Sequence, residues 1–384
     1  MKTFLTFVLL LFKFYNIFAV DPPYGQLSVK DKDLLGNGKQ VALHGMSLFQ
    51  SNFEEGFPFY DPQAIKALTC QWNSNVVRAP MGIDDGALSY TQEKKDKKVS
   101  VEENVQTQKI EKVINAAIEV GMYVIVDWHT HNATTTKYGK YKNIIYELFN
   151  EPTTNDWPEV KIYQQKIVNV IRKIDPLNLI IAGTPTYSQR VDLASQDKLE
   201  GENICYSLHF YAATHKQDLR DKVTVALGNK TCVFVSEYGT VENTGGGAVD
   251  EASTKEWWKF LDENKISYVN WALSNKAEGA SAFKPGTQAS QLGVDERLSP
   301  SGTLVKKHLM SQENGVSCIG STTGSSSGSP STTPSGSPST TPSGSPSTTP
   351  SGSPSTTPSG SPSTTPSGSP STTPSGSPST TPSG

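Results

Sequence analysis

Eight short apolar runs along a 384-residue chain most constrain what this sequence can fold into. Most of them are rich in Val, Ile, Leu and aromatic residues, which is typical of parallel strands that are buried on both faces. The predicted strands, first to eighth, are Val41–Ser47, Val76–Met81, Tyr123–His129, Ile144–Glu151, Leu179–Thr184, Ile204–Tyr211, Cys232–Glu237 and Tyr268–Leu273.

Amphipathic stretches separate most of these runs and predict helices. Between Val101 and Val120 the apolar residues fall near one stripe of a helix, and another such stripe stops at Asp175-Pro176. A third amphipathic stretch runs from Glu251 to Asn264. Eight strands that alternate with helices predict an α/β fold, the closed (β/α)8 TIM barrel.

One connection is too short for this pattern. Only 14 residues, 130–143, separate the third predicted strand from the fourth, and they contain no apolar stripe. A parallel crossover needs at least about a dozen residues and normally contains a helix. We therefore expect a shortened crossover without a full helix, and a gap in the barrel wall that exposes the outer faces of the third and fourth strands.

Two terminal segments lie outside the predicted barrel domain, residues 20–320. Residues 1–19 have the positive start, short apolar core and cleavage site of a secretory signal peptide, and the core is too short for a membrane anchor. Residues 321–384 form a Ser/Thr/Pro/Gly tail, largely a repeat, without aromatic or aliphatic side chains. We expect this tail to be disordered, in the manner of a glycosylated linker, with no folded module after it. The predicted location is extracellular.

Charge and cysteine content bear on the possible partners. The net charge of -3 gives no indication of nucleic-acid binding. The spacing of Cys70, Cys205, Cys232 and Cys318 suggests no zinc site and determines no disulfide pairing. Because Cys205 and Cys232 fall within strand-like runs, we expect buried free thiols there. Asn132 and Asn229 each begin an N-glycosylation sequon.

Two predicted strands end in a glutamate, Glu151 and Glu237. The C-terminal ends of barrel strands face the side where active sites lie. A retaining glycosidase needs a carboxylic acid that protonates the leaving oxygen and a second carboxylate that attacks the anomeric carbon. We interpret Glu151 and Glu237 as this pair. The alternatives are that Asn150-Glu151-Pro152 only ends a strand and that Glu237 is a buried ion-pair partner.

Further polar residues fall where they would face the same end of the barrel. Arg78 lies on the second predicted strand, His129 ends the third, and His209 and Tyr211 end the sixth. Such residues would bind the carboxylates, set their protonation and contact sugar hydroxyls. Asn150 is suited to a hydrogen bond with the sugar 2-hydroxyl.

The eighth predicted strand adds candidates for substrate binding. Trp271 offers an aromatic face on which a pyranose ring can stack, with packing inside the barrel as its alternative role. Lys276 and Glu278 follow the same strand and are weaker candidates.

The chain resembles the cellulases of glycoside hydrolase family 5, in the subgroup shared by bacteria and plant-parasitic nematodes. The segments that carry the resemblance are Trp72–Arg78, Tyr123–His129, Ile145–Pro152, Leu208–Ala212, Val235–Thr240 and Val269–Ser274. The resemblance implies a (β/α)8 fold and endohydrolysis of β-1,4-glucan with retention. It implies Glu151 as proton donor and Glu237 as nucleophile. Arg78, His129, Asn150, His209 and Tyr211 match site positions of the family, and Trp271, Lys276 and Glu278 match substrate-binding positions.

Some positions depart from the bacterial pattern. After the first predicted strand the bacterial Ser-Ser-His-Gly is replaced by residues 47–50, so its histidine is absent. Tyr187 stands where the family has a tryptophan after the fifth strand, and its ring can still stack on a sugar. The family also has a helix of two to four turns between His129 and Tyr138, which this chain lacks. Losing it would place folding itself at risk.

The sequence therefore predicts a secreted, monomeric endo-β-1,4-glucanase that degrades plant cell-wall cellulose. Its expected partner is a β-1,4-glucan, with no metal, other cofactor, nucleic acid or membrane. One alternative is an impaired relative that binds glucan without cleaving it. Others are a hydrolase of mannan or xylan, and a glycoprotein whose tail acts as a stalk beside an inert barrel.

Overall fold

The computed structural model describes residues 19–83, 88–101, 103–128, 138–154 and 156–318. Residues 1–18 of the predicted signal peptide, His129, the sequon at Asn132 and the whole predicted tail, residues 321–384, lie outside these ranges. A small antiparallel sheet comes first, with strands β1 (Leu27–Lys30), β2 (Asp33–Gly36) and β3 (Lys39–Gln40).

Eight parallel strands then close into a barrel, which confirms the predicted fold. They are β4 (His44–Leu48), β5 (Val76–Met81), β6 (Tyr123–Trp128), β7 (Ile144–Glu147), β8 (Leu179–Ala182), β9 (Ile204–Tyr211), β10 (Val233–Gly239) and β11 (Ser267–Leu273). Each pairs with the next along the chain, and β11 pairs with β4. We call the end of the barrel where these strands finish the mouth, and the end where they start the floor.

Helices surround the barrel in the described ranges. They are α1 (Pro62–Trp72), α2 (Tyr90–Lys97), α3 (Val105–Val120), α4 (Trp157–Arg172), α5 (Pro185–Ser188), α6 (Val191–Ala194), α7 (Gln217–Gly228), α8 (Glu251–Glu263) and α9 (Pro300–Met310), with 3₁₀ turns at Phe57–Phe59, Ala289–Gln291 and Asp295–Arg297. None of the described helices is long and apolar enough to cross a bilayer.

Local sequence sets the helix ends. The start of α3 lies at Val105 rather than at Val101, because the Asn104 side chain accepts hydrogen bonds from the backbone N–H groups of Gln106 and Thr107. The helix ends where Gly121 adopts a φ of 72°, a left-handed conformation that glycine tolerates. Its apolar stripe is buried, as predicted.

The core has two apolar layers. The inner layer fills the floor half of the barrel and includes Ile125, Ile145, Ile181 and Phe234. The outer layer lies between the strands and the helices. The small sheet closes the floor, because Leu27 and Leu34 join the inner layer and the backbone N–H of Val29 donates to Asn203.

The predicted exposure of the outer faces of β6 and β7 is wrong for the residues that the structure describes there, apart from the half-buried Val126. Ile144 and Tyr146 on β7 are buried, and Tyr138 and Tyr141 pack against the outer layer. Asn178 holds this segment by donating to the backbone oxygens of residues 139 and 141. The tyrosines therefore contribute cover that we expected only from a helix. The predicted lack of a helix falls mainly on residues 129–137, outside the described ranges.

The prediction of free thiols at Cys205 and Cys232 is also wrong. These two residues form a disulfide, and Cys70 forms another with Cys318. Cys205 lies on β9, and Cys232 directly precedes the neighbouring strand β10, so strand pairing places their Cα atoms 4.5 Å apart. The sequence separation of 27 residues contains no local signal for this contact.

Candidate active site

A fully buried arginine organises the mouth of the barrel. Arg78 on β5 donates through Nε to Glu147 Oε2 at 2.6 Å and through Nη1 to Glu237 Oε2 at 2.9 Å. Its Nη2 lies 2.8 Å from Asp127 Oδ2. Burial opposes the charge of the guanidinium, but Asp127, Glu147 and Glu237 raise the pKa of Arg78 above its ordinary value. The mouth therefore contains a permanent cation surrounded by three carboxylates.

Glu237 on β10 is held at both oxygens. Oε2 accepts from Arg78, and Oε1 accepts from the Tyr211 hydroxyl at 2.8 Å. Gly239 permits this contact, because a Cβ there would collide with the Tyr211 ring. Burial, and then the charge of Glu237, raise the pKa of Tyr211 well above its usual range, so the phenol remains a donor. Two fixed donors stabilise negative charge on Glu237.

Glu151 does not end a strand, contrary to the prediction. The strand β7 ends at Glu147, and the last contact of this run with β8 is the backbone N–H of Leu148 donating to Ile181. Glu151 lies four residues further, on the loop at the mouth, where its Oε1 is 2.9 Å from Nδ1 of His209. The loop position leaves its side chain 28% exposed, compared with 7% for Glu237.

His209 connects Glu151 to the barrel interior. It is buried on β9, and its Nε2 lies 3.0 Å from the Ser236 hydroxyl, which in turn is 2.6 Å from the Ser207 hydroxyl. Burial alone would lower the pKa of His209, but Glu237, Glu147 and Glu151 raise it to about 9. A proton is therefore held between the imidazole and its carboxylate neighbours at neutral pH.

Asn150 directly precedes Glu151, and its side chain is also oriented by Arg78. Its Oδ1 accepts from Arg78 Nη2, and its backbone oxygen accepts from the Ser188 hydroxyl at 2.8 Å. Because its oxygen is bound to the cation, the amide nitrogen is the group that remains to donate to a ligand. This arrangement agrees with the predicted contact to a sugar hydroxyl.

The structure places Trp271, Lys276 and Glu278 around the same opening. Trp271 is largely buried on β11, with its ring centroid 5.3 Å from that of Phe49 and 6.0 Å from the Arg78 guanidinium carbon. Its peptide bond to Ala272 is cis. Lys276 and Glu278 form an ion pair at 2.6 Å. Packing and substrate contact are therefore compatible roles for Trp271.

Tyr187 lies in α5, the four-residue turn that follows β8. Its side chain is about half exposed, and three consecutive residues, 186–188, have positive φ angles. Its backbone N–H donates to Pro152, next to Glu151. The sequence prediction that this ring can stack on a sugar agrees with its exposure. His129, the remaining predicted site residue, lies outside the described residues.

Sequence analysis missed two buried acids of the site, Asp127 and Glu147. Both face the barrel interior beside Arg78. The signal was the two-residue period of a strand, because Glu147 lies two residues after the inward-facing Ile145 and Asp127 two after Ile125. We assigned Glu151 to the end of this strand because the apolar run continues through Leu148 and Phe149.

The donor set does not favour a metal ion. Glu151, His209 and Glu237 offer ligand atoms that lie within 4.8 Å of one another. However, both oxygens of Glu237 already accept hydrogen bonds, and the ring nitrogens of His209 face Glu151 and Ser236. A cation there would also lie close to the Arg78 guanidinium. The site therefore consists of two neighbouring carboxyl groups. Glu237 is buried and held by two donors, and Glu151 is partly exposed and lies within hydrogen-bond distance of the His209 imidazole.

Comparisons with known proteins agree with this description. The family model of Cellulase (glycosyl hydrolase family 5) matches residues 34–277. The chain is 39% identical over 300 residues to Endoglucanase Z of Dickeya dadantii, covering 74% of this chain and 66% of the relative. It is 38% identical over 304 residues to an endoglucanase of Clostridium saccharobutylicum, covering 74% and 65%. The chain thus spans slightly less than two thirds of these curated relatives.

A solved structure shares the fold. The catalytic domain of endoglucanase Cel5A from Thermobifida fusca, in complex with cellotetraose, is 26% identical with a TM-score of 0.62. The match covers 75% of this chain and 98% of that one.

Proposed function

The chain belongs to the cellulase family, glycosyl hydrolase family 5, and we propose that it hydrolyses internal β-1,4-glucosidic bonds with retention of anomeric configuration. The observation that carries the proposal is the pairing of Glu151 with Glu237. Their nearest ligand atoms lie within 4.8 Å. Retaining enzymes place the two carboxyl groups about 5–5.5 Å apart, whereas inverting enzymes need about 6.5–9.5 Å to admit a water.

Glu237 acts as the nucleophile in the first step. Its carboxylate attacks the anomeric carbon, the glycosidic C–O bond breaks, and the Glu151 carboxyl gives its proton to the leaving oxygen. Arg78 and Tyr211 fix the orientation of the Glu237 oxygens before the reaction, so little rearrangement is needed. The product of this step is a glycosyl ester on Glu237.

Glu151 acts as the base in the second step. It takes a proton from water, the resulting hydroxide attacks the anomeric carbon, and the bond to Glu237 breaks. The partial exposure of Glu151 gives water access to it, while Glu237 stays buried. Two inversions at one carbon give net retention.

A glucan is the substrate that the supporting observations favour. The relatives are named endoglucanases, and a structural neighbour is titled as a cellotetraose complex. Trp271 and Tyr187 offer aromatic surface for pyranose rings, and Asn150 offers an amide donor. Mannan or xylan would present hydroxyls of different configuration or number to the same groups.

The enzyme acts outside the cell, on plant cell-wall cellulose, as a monomer. The apolar N-terminal segment and the two disulfides support secretion. Asn229 of the second sequon is exposed, and its Nδ2, the atom that glycosylation would modify, donates to the Ser195 hydroxyl at 2.9 Å.

Viscosity of soluble carboxymethylcellulose tests the proposal. The purified protein should lower it rapidly, because cuts at internal bonds shorten chains faster than they release sugar. Glu151→Gln should reduce kcat by about 10²–10⁴-fold, the usual contribution of a general acid–base. Glu237→Gln should reduce it at least as much. The control Glu202→Gln, at an exposed position at the floor, should behave as wild type.

The outcomes separate the alternatives. No viscosity loss, or a Glu151→Gln variant equal to wild type, would disprove the enzymatic role. Binding to cellulose without turnover would support an impaired glucan-binding relative. Faster turnover of mannan or xylan than of glucan would reassign the substrate. NMR of the first product should show the β-anomer, and an initial α-anomer would contradict retention.

A further inference from the structure

Glu147 is a buried carboxylate without a role in the two steps described above. Its Oε2 accepts from Arg78 Nε at 2.6 Å. No described donor meets strict hydrogen-bond geometry at its buried Oε1. Nε2 of His209 lies 3.9 Å from this atom. Burial alone would raise the pKa of Glu147, but Arg78, His209 and Ser236 lower it to about 2. A buried carboxylate oxygen without a donor is costly unless a positive group lies close by.

The surroundings of His209 distinguish its two nitrogens. Nε2 lies 3.0 Å from the Ser236 hydroxyl and 3.9 Å from Glu147 Oε1. The hydroxyl oxygen can accept a hydrogen bond from a protonated Nε2, and the carboxylate attracts its positive charge. Nδ1 faces Glu151 Oε1 at 2.9 Å. A fixed negative charge on the Nε2 side favours the tautomer that carries its proton on Nε2.

We propose that Glu147 is a positioning residue that keeps a proton on Nε2 of His209, so that Nδ1 and Glu151 share a single mobile proton. The inference rests on the proposed function for its catalytic meaning, but the location of the proton is a property of the folded protein. Glu147 acts through His209 and does not touch the substrate.

This arrangement serves both half-reactions. At neutral pH the raised pKa of His209 places the shared proton on its Nδ1. In the first step this proton passes to Glu151, and His209 is left neutral with its proton on Nε2. After Glu151 has given its proton to the leaving oxygen, the Nδ1 lone pair faces a carboxylate oxygen, and their repulsion favours protonation of Glu151. Glu151 therefore becomes a better base towards water in the second step. If the imidazole could move its proton to Nδ1, it would stabilise the carboxylate and weaken this base.

The charges around His209 come from several elements. Glu147 lies on β7, Glu151 on the following loop, and Glu237 with Ser236 on β10. Arg78 on β5 pairs with both Glu147 and Glu237, and Tyr211 on β9 donates to Glu237. The raised pKa of His209 agrees with a net negative surrounding.

Glu147→Gln tests the proposal, with Asp127→Asn as the matched control. Each variant removes one buried carboxylate that pairs with Arg78, but Glu147 also faces His209. Removing a negative charge beside an imidazole lowers its pKa, so the shared proton is lost at lower pH. Glu147→Gln should move the basic limb of the kcat–pH profile down by about one pH unit. Asp127→Asn should lose activity through Arg78 while its basic limb stays in place.

NMR of histidine-labelled protein gives a second readout that needs no substrate. In the wild type, Nε2 of His209 should stay protonated across the titration while Nδ1 changes. In Glu147→Gln, Nε2 should lose its proton in part of the population. Equal shifts of the basic limb in both variants, or an Nε2 that titrates in the wild type, would overturn the proposal.

Two further controls keep the result interpretable. If Glu147→Gln does not fold, Glu147→Asp retains the charge and should keep the basic limb where the wild type has it. A basic limb that moves in Glu147→Asp, although the negative charge is retained, would contradict the proposal. If the wild type hydrolyses no glucan, the proposed function fails, and the NMR titration still decides where the proton lies.

Discussion

The mouth and the floor of the barrel are formed by the same strands, but their inward-facing side chains differ in polarity. On β7, Ile145 belongs to the apolar inner layer, and two residues later Glu147 pairs with Arg78. On β6, Ile125 and Asp127 repeat the same step. Inward-facing side chains are thus apolar at the floor and ionised at the mouth. The change takes place within one two-residue period of the strand.

This difference shows which substitutions should affect stability alone and which should also affect the reaction. At the floor, side chains contribute by volume and burial, and their contacts carry no direction. At the mouth, each charge needs a partner in a fixed direction, because a buried ion without one is strongly destabilising. Floor substitutions should therefore change stability alone, whereas mouth substitutions should change activity and, where ion pairs are broken, stability as well.

Arg78→Lys should have the largest effect, because it should lower both stability and activity. An ammonium cannot reproduce donation to Glu147, Glu237 and Asn150 at once, so buried carboxylates lose partners. We expect the free energy of unfolding to fall by about 3–5 kcal/mol, measured by denaturant unfolding. The rate on carboxymethylcellulose should fall by on the order of 10²-fold or more.

Arg190→Lys is the matched control for this substitution. Arg190 pairs with Asp192 on the surface, and its side chain is 30% exposed. Its replacement should cost less than about 1 kcal/mol. An Arg78→Lys variant as stable and active as Arg190→Lys would contradict the organising role of Arg78.

Ile145→Ala should destabilise the floor without affecting the reaction. Ile145 is fully buried in the inner layer, so its truncation leaves a cavity. We expect a loss of about 2–5 kcal/mol in the free energy of unfolding. At a temperature where the variant is folded, its kcat should match the wild type. As a control, Ile162→Ala on α4 should leave the free energy of unfolding nearly unchanged, because this side chain is 61% exposed. A large fall in kcat for Ile145→Ala would contradict the separation, because it would show that packing at the floor affects the site at the mouth.

The pH dependence of stability should have opposite signs at the two ends. At the floor, burial lowers the pKa of His44 and of His308 to about 4. Their neutral forms contribute stability that is complete above the unfolded pKa of 6.5 and is lost as pH falls through 4. At the mouth, the pKa of His209 is raised to about 9, so its contribution is complete below 6.5 and is lost as pH rises through 9.

His308→Phe sharpens this contrast. The His308 ring stacks on Trp258 at 3.7 Å, and phenylalanine can keep the stacking without titrating. Between pH 6.5 and 4 the wild type should lose about 2 kcal/mol for each of the two histidines, and the variant about half of the total. Denaturant unfolding across this range measures it, and an unchanged slope in the variant would exclude His308 as a cause.

Much of the fold could be predicted from the sequence, because the apolar runs that form strands and the turn-forming residues that end them are local features. The bounds of β5 and β9 agree with prediction, and so does the barrel. The end of β7 could not be predicted, because the apolar run continues after the ladder with β8 has stopped. The Cys205–Cys232 disulfide and the cover that Tyr138 and Tyr141 give to the barrel wall depend on contacts between distant segments.

Part of the site could be predicted in the same way. Glu237, Arg78, His209 and Tyr211 were recognisable as polar residues at strand positions of the mouth. Asp127 and Glu147 were not recognised, because a polar residue inside an apolar run gains meaning only when its partner is known. Their partner, Arg78, lies 49 and 69 residues away along the chain.

The sequence by itself determined the barrel and the family, because both follow from local patterns of apolar and polar residues. Only the tertiary structure decided how the groups at the mouth are charged. Closing the barrel brings Arg78 among Asp127, Glu147 and Glu237, and sets His209 between Glu147 and Glu151. Burial then makes each charge depend on its neighbours, since ionisation in a low-dielectric interior is governed by distances that no single segment of the chain contains.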